Sequence, residues 1–258
     1  PHRHFHFSKL APIVAAKLKN ENGDAGSIMP DQKNPVYGVQ RAHAEMDMAA
    51  PWTSAALHRA SYLVVDRFRP ESSDHRPRTI ARLLWDDVAL WGGFKVEDRY
   101  IRCVHTAFQS PVYEDSCVEF FVQPFPDRGY FNFEFNCGGA LLASYITDPT
   151  RTEAGFKAWQ PLAPEDGDRV AVWSSMPAVV DPEIAEPRTW RLVFRIPLDL
   201  LEHYTGSLRV DPGDVWRANF YKCGDGTSHP HWAAWRPVDA LNFHVPRCFG
   251  YLRFVNHF

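Results

Sequence analysis

From Asp115 to Cys137 the chain reads DSCVEFFVQPFPDRGYFNFEFNC, two runs in which apolar side chains recur at every second residue. In the first run Val118, Phe120 and Val122 alternate with Cys117, Glu119, Phe121 and Gln123. In the second, Phe131, Phe133 and Phe135 alternate with Tyr130, Asn132, Glu134 and Asn136. A period of two is the signature of a strand with unlike faces. The linker at 124–129, PFPDRG, holds prolines and a glycine that end strands and favour turns. The pattern predicts a hairpin with one face packed on a core and the other carrying Glu119, Asn132, Glu134 and Asn136. A roughly symmetric turn sets Glu119 and Glu134 side by side. Two acids and two amides suit a hydroxyl-rich ligand, a metal ion or acid–base chemistry; the plain alternative is a solvated outer face.

The same punctuation continues along the chain. Strands are predicted over 60–68, 79–84, 88–96, 100–106, 140–146, 169–176, 190–196, 214–222 and 249–255, with a short helix or turn at 198–203. In DVWRANFYK, Trp216, Ala218 and Phe220 face one way and Arg217, Asn219 and Tyr221 the other. Residues 147–164 form a long polar stretch placed to cap a site, and 177–187 a proline-rich connection. Many short strands with turn signals between them and almost no helix indicate an all-β fold, an antiparallel β-sandwich of jelly-roll type. Residues 1–40 read as an irregular N-terminal extension, with a short helix at 11–19, a loop at 20–35 and a histidine-rich start at His2, His4 and His6. One domain is expected over 41–258.

Composition narrows the partners. A chain of 258 residues with 45% hydrophobic content supports a sizeable core. Its formal net charge of -3 argues against nucleic acid or an acidic membrane surface. No apolar run reaches membrane-spanning length. No signal-peptide pattern opens the numbered chain, which reads as a trimmed or processed product. Five scattered cysteines without a CxxC do not make a disulfide framework, although Cys117 and Cys137 are candidate cross-strand neighbours. Aromatic residues make up 14%, including 9 Trp, a high share; exposed aromatics are the usual platform for sugar rings, and buried ones are simply core.

There is no GxSxG, Walker loop, HExxH or GxGxxG before a helix. The second concentrated stretch is KCGDGTSHPHWAAWRPVDALNFHVPRCFG at 222–250. Its His229, His231 and His244 are three candidate ligands of one metal, against packing and hydrogen bonding as the simpler role. Trp232 and Trp235 are expected to line a site or pack beneath it. The Glu119/Glu134 pair invites a glycosidase reading. Directly opposed strand residues, however, have Cβ atoms about 4.5–5.5 Å apart, which suits a coordinated ion, a shared proton or an arginine bridge from Arg191, Arg195 or Arg217 better than an intervening sugar.

The succession WDD, LWGGFKVED, EDSCVEFF, YFNFEFN and a tryptophan-containing loop closing on NFHVPRCFG resembles the family 9 carbohydrate-binding modules over roughly 42–258. The resemblance implies a β-sandwich that holds the end of a sugar chain between two aromatic rings, both tryptophan in the best-known members. Here those positions are Tyr113 and Phe243, which offer less stacking area. The acid of the family's VE pair corresponds to Glu119. A neighbouring sugar-reading arginine corresponds to Glu134, a departure that removes a donor and adds an acid. The family's structural calcium implies acidic ligands, for which Asp86, Asp98 and Asp115 are the candidates.

The expected function is therefore carbohydrate binding, with an oligosaccharide or polysaccharide as partner. The contacts expected are Tyr113, Glu119, Asn132, Glu134, Asn136, Arg217, Asn219, Lys222, His231, Trp232, Trp235, Phe243 and His244. The alternatives are a carbohydrate-active hydrolase or lyase on the same scaffold, with Glu119, Glu134 and His244 as candidate acid–base groups, and a docking or structural subunit. An extracellular or periplasmic location is the expectation for such a module.

Overall fold

The computed structural model describes residues 36–42, 48 and 55–256. The N-terminal histidines, the helix expected at 11–19 and the loop at 20–35 lie outside the described residues.

The strands are β1 (Val36–Arg41), β2 (Leu63–Val65), β3 (Arg67–Phe68), β4 (Arg78–Trp85), β5 (Ala89–Asp98), β6 (Ile101–Cys103), β7 (Cys117–Gln123) and β8 (Tyr130–Asn136). They continue with β9 (Leu141–Thr152), β10 (Gly155–Pro161), β11 (Ala171–Ser174), β12 (Val180–Ile184), β13 (Arg188–Pro197), β14 (Val215–Cys223), β15 (Trp232–Ala234) and β16 (Gly250–Val255). The helices are short: α1 (Ala55–Arg59), α2 (Pro164–Gly167) and α3 (Leu198–Thr205). One curled sheet runs β10-β9-β8-β7-β14-β16-β1-β4-β5-β13-β11, with β2, β3 and β15 attached at its flanks, and β12 pairs with β6. The all-β sandwich expected from the alternation is the fold observed.

The alternating phenylalanines fill the core. Phe120 and Phe135 stack on Phe194 at 5.6 and 5.1 Å between ring centroids, and Phe220 meets Phe94 at 6.0 Å. These contacts tie β7, β8 and β14 to β5 and β13 across the interior. Phe194 fits because Gly92 lies under its ring: a Cβ there would sit 2.0 Å from the Phe194 ring tip.

Two features depart from the sequence-based picture. The sheet is not wholly antiparallel, because β1 runs parallel to both β16 and β4. It inserts between the two halves of the curl, so residues 36–41 are part of the sheet. Cys117 and Cys137 are not neighbours. Cys117 lies opposite Asn136 on β8 and Cys223 on β14, while Cys137, one position past β8, falls on the opposite side and pairs its thiol with Cys103. The parity of a strand explains this, since successive side chains alternate faces.

Candidate functional site

The second face of β7, β8 and β14 is roofed rather than solvated. Glu119 and Glu134 are register partners, and they are only 3% and 5% exposed. Asn132 positions Glu134. Its Nδ2 donates to Glu134 Oε1 at 2.8 Å while its Oδ1 accepts the Ser144 N–H at 2.9 Å. Glu119 Oε1 accepts the Cys223 thiol at 3.1 Å. A third acid, Asp225, joins from the turn after β14 and accepts the Trp232 indole N–H at 2.7 Å. Burial, reinforced by the nearby negative charges, lifts Glu119 well above the usual carboxylate range. Burial also pushes Glu134 up to about 7, against the Asn132 hydrogen bond. Asp225, at the solvent-exposed edge of the group, is raised to about 6 by the protein atoms packed around it, against the Trp232 hydrogen bond. Desolvation of this size favours the neutral acid or a bound cation.

The roof is made of two turns. Val112–Glu114 forms a 3-10 turn whose carbonyls at Tyr113 and Glu114 accept the N–H groups of Asp225 and Gly226 at 3.0 and 2.8 Å. This leaves the Tyr113 ring 38% exposed beside the acids. Phe243 stacks on Tyr221 at 4.0 Å with rings 12° from parallel, and Tyr221 Oη donates to the Phe243 carbonyl at 3.0 Å. Val112, Cys117, Cys223, Leu142, Trp232 and Phe243 pack as one apolar wall at this end.

The stretch expected to cap the site is the long β9–β10 hairpin. It carries Arg151, whose guanidinium lies 4.1 Å from the Phe156 ring and within electrostatic reach of Glu134, Tyr113 and Tyr130. Arg151 was not singled out in the sequence, and Asp225 was noted only as part of the 222–250 stretch, not as a site residue. The polar cap at 147–164 was the available signal for Arg151, and the KCGD turn after a strand for Asp225. His244 hydrogen-bonds Tyr130 Oη through Nδ1 at 3.0 Å and packs on Phe156 and Phe121 at 4.5 and 4.9 Å. Burial, then the Arg151 charge, push its pKa down to about 3, so it sits neutral at neutral pH.

Other expected site residues are placed elsewhere. Lys222 and His231 lie on the core side, where the Lys222 ammonium contacts Asp98 at 3.4 Å and His231 Nε2 at 2.8 Å. Trp235 packs on Phe220 at 6.0 Å. Arg217 spends its guanidinium on the Pro246 and Arg247 carbonyls, Asn219 on the Arg236 backbone, and Asn136 on the His105 carbonyl and Asp115. Arg191 and Arg195 belong to β13 in the facing layer, with Arg195 over the Trp91 ring at 5.3 Å.

The three acids proposed for calcium are apart and already committed to protein donors. Asp86 accepts the Val88 and Ala89 N–H groups and the Trp91 indole. Asp98 takes His75, Trp190 and Lys222, and Asp115 takes Arg102, the Val104 and His105 N–H groups and Asn136. As placed, they do not fit a shared calcium site. His229, His231 and His244 do not converge either. His229 stacks on Tyr100 at 3.6 Å, away from His244 on the polar face.

With this geometry in view, comparison with known proteins is decisive for family. Residues 54–254 match the model of carbohydrate-binding family 9. The chain belongs to this family. A crystal structure of a candidate carbohydrate-binding protein from Bacteroides uniformis ATCC 8492 superposes with a TM-score of 0.71 at 29% identity, covering 85% of this chain and 97% of that one. A family 9 module from Caldicellulosiruptor kristjanssonii bound to glucose superposes at 0.58 with 14% identity, covering 87% and 97% of the two chains. The same organism's family 9 module bound to cellotriose superposes at 0.55 with 14% identity, covering 87% and 95%. No curated protein matches the sequence. This family 9 member shares its fold with the sugar-bound modules. Among the described residues no helix is long and apolar enough to cross a membrane.

Proposed function

We propose that the protein binds the end of a sugar or glycan at the edge of the Glu119/Glu134 face, beside Tyr113 and Phe243 and under Arg151. The observation that carries this is the exposed Tyr113 ring beside the paired acids, on a turn whose backbone is hydrogen-bonded to Asp225 and Gly226. A sugar presents apolar C–H faces and a polar rim, which an aromatic plane with acceptors at its border satisfies. Arg151 supplies from β9 the donor that the resemblance led one to expect at position 134. The family membership and the sugar-bound neighbours support carbohydrate as the ligand class, and an extracellular or periplasmic setting belongs to the same proposal.

The test is calorimetric titration of the full chain with glucose, cello-oligosaccharides and a panel of plant and algal oligosaccharides. Saturable binding is expected, weakened on the order of tenfold by Tyr113→Ala, equivalent to about 1.4 kcal/mol. Phe243→Ala and Arg151→Ala are expected to weaken it as well. No saturable binding to any sugar overturns the proposal. A second reading, acid–base chemistry by the opposed carboxyls, draws on their register pairing. It would show as new products by mass spectrometry that disappear in Glu119→Gln.

A further inference from the structure

Cys117, Glu119 and Cys223 are the one group of three or more His, Cys, Asp or Glu side chains among the described residues whose ligand atoms all fall within 4.8 Å of one another. The grouping is built by the sheet. Cys117 and Cys223 are register partners on β7 and β14, and Glu119 follows Cys117 by two positions on the same face. The two thiols and the carboxyl are buried, at 0%, 1% and 3% exposure. Among the described residues no ion pair reaches Glu119 or Glu134, although the two face each other across the strands. Two buried acids with two thiols beside them are left without an ion-paired base, since Arg151 and Lys222 act on this group only at longer range.

We propose that Cys117, Cys223 and Glu119 form a binding site for a thiophilic divalent cation, with Zn2+ as the expected occupant. Two sulfur ligands and one carboxylate select against calcium and magnesium, which take oxygen ligands, and for zinc, which accepts Cys and Asp/Glu together. Three protein ligands leave one tetrahedral position, for a water or for Glu134. Binding displaces the two thiol protons and the Glu119 carboxyl proton to solvent, so the ion enters as the thiolates and the carboxylate form. Neither sugar nor the sugar-binding proposal is needed for the site, and metal binding is measured without a glycan.

The experiment titrates the reduced 258-residue chain with Co2+ as a spectroscopic probe and then with Zn2+ against a chromophoric chelator, in a buffer with a phosphine reductant. One equivalent of metal per chain is expected, with a near-ultraviolet thiolate-to-cobalt charge-transfer band that Zn2+ bleaches. That band separates this site from the histidines at residues 2–6, which give none. Cys117→Ala and Cys223→Ala are expected to abolish it, and Glu119→Gln to weaken zinc binding by more than about tenfold. Far-ultraviolet circular dichroism checks that the variants fold, and the wild-type titration alone is decisive if they do not. No charge-transfer band, a stoichiometry unchanged in both cysteine variants, or a Cys117–Cys223 disulfide that persists under the reductant overturns the proposal.

Discussion

Lys222 shows how much one residue's face decides. Its ammonium is fully buried, with Asp98 at 3.4 Å, His231 at 2.8 Å and the Trp190 ring at 5.9 Å. Burial alone would raise Asp98, but the Lys222 charge and hydrogen bonds from His75 and Trp190 hold it well below the usual carboxylate range. Removing one partner strands the other, so Lys222→Met is expected to cost about 3–5 kcal/mol, measured by urea denaturation. Adding Asp98→Asn should recover part of that loss. His231 accepts from Lys222 at Nε2 and donates through Nδ1 to the His229 carbonyl at 2.8 Å, which fixes a neutral ring. Burial and then Lys222 bring its pKa down to about 3.

The unfolded chain protonates this histidine near pH 6.5, whereas the fold does so only near 3. Its contribution is therefore complete above about 6.5 and is lost as pH falls toward 3. The buried acids, with raised pKa values, pull the opposite way, so the effect is read as a difference between proteins. Wild type is expected to lose stability relative to His231→Gln by about 1.4 kcal/mol per pH unit between pH 6 and 4. Equal pH slopes in the two proteins would contradict it. The position of Lys222 was legible in the sequence, since it shares the parity of Trp216, Ala218 and Phe220. Its charge drew it to the polar face in the reading, and only the partners at 75, 98 and 231 explain why it does not go there.

Among the elements, the β7–β8 hairpin was readable in full, because alternation and a proline-rich turn are local signals. Strand β1 was not, because its reason for existing is remote. It completes hydrogen bonding between β16 and β4, far apart in sequence. Deleting residues 1–41 opens two strand edges, and a lower melting temperature with association at higher concentration is expected from scanning calorimetry and light scattering. Between β5 and β13, Gly92→Ala would push a methyl group into the Phe194 ring and is expected to cost about 1–3 kcal/mol in denaturant unfolding. The β9–β10 arm was read as a strand at 140–146 followed by a polar cap, without its pairing. Its role as the carrier of Arg151 follows from pairing Gly155 with Thr152 and Phe156 with Arg151 at the tip.

At the scale of the molecule, the curl of one long sheet sets two environments back to back. One side is an aromatic core; the other is a roofed face holding Glu119, Glu134 and Asp225 with two thiols. The family places a sugar-binding function on this architecture, and the Tyr113→Ala titration tests it where the fold and the chemistry meet. The sequence by itself determined the all-β class, the hairpin register that opposes Glu119 to Glu134 and the aromatic core, because strand periodicity is written in neighbouring residues. Only the tertiary structure decided that Cys117 faces Cys223, that Arg151 and Asp225 reach the acids and that Lys222 turns inward. Those outcomes depend on which strands lie side by side, and that pairing is settled by packing between segments distant in the chain, which no local pattern encodes.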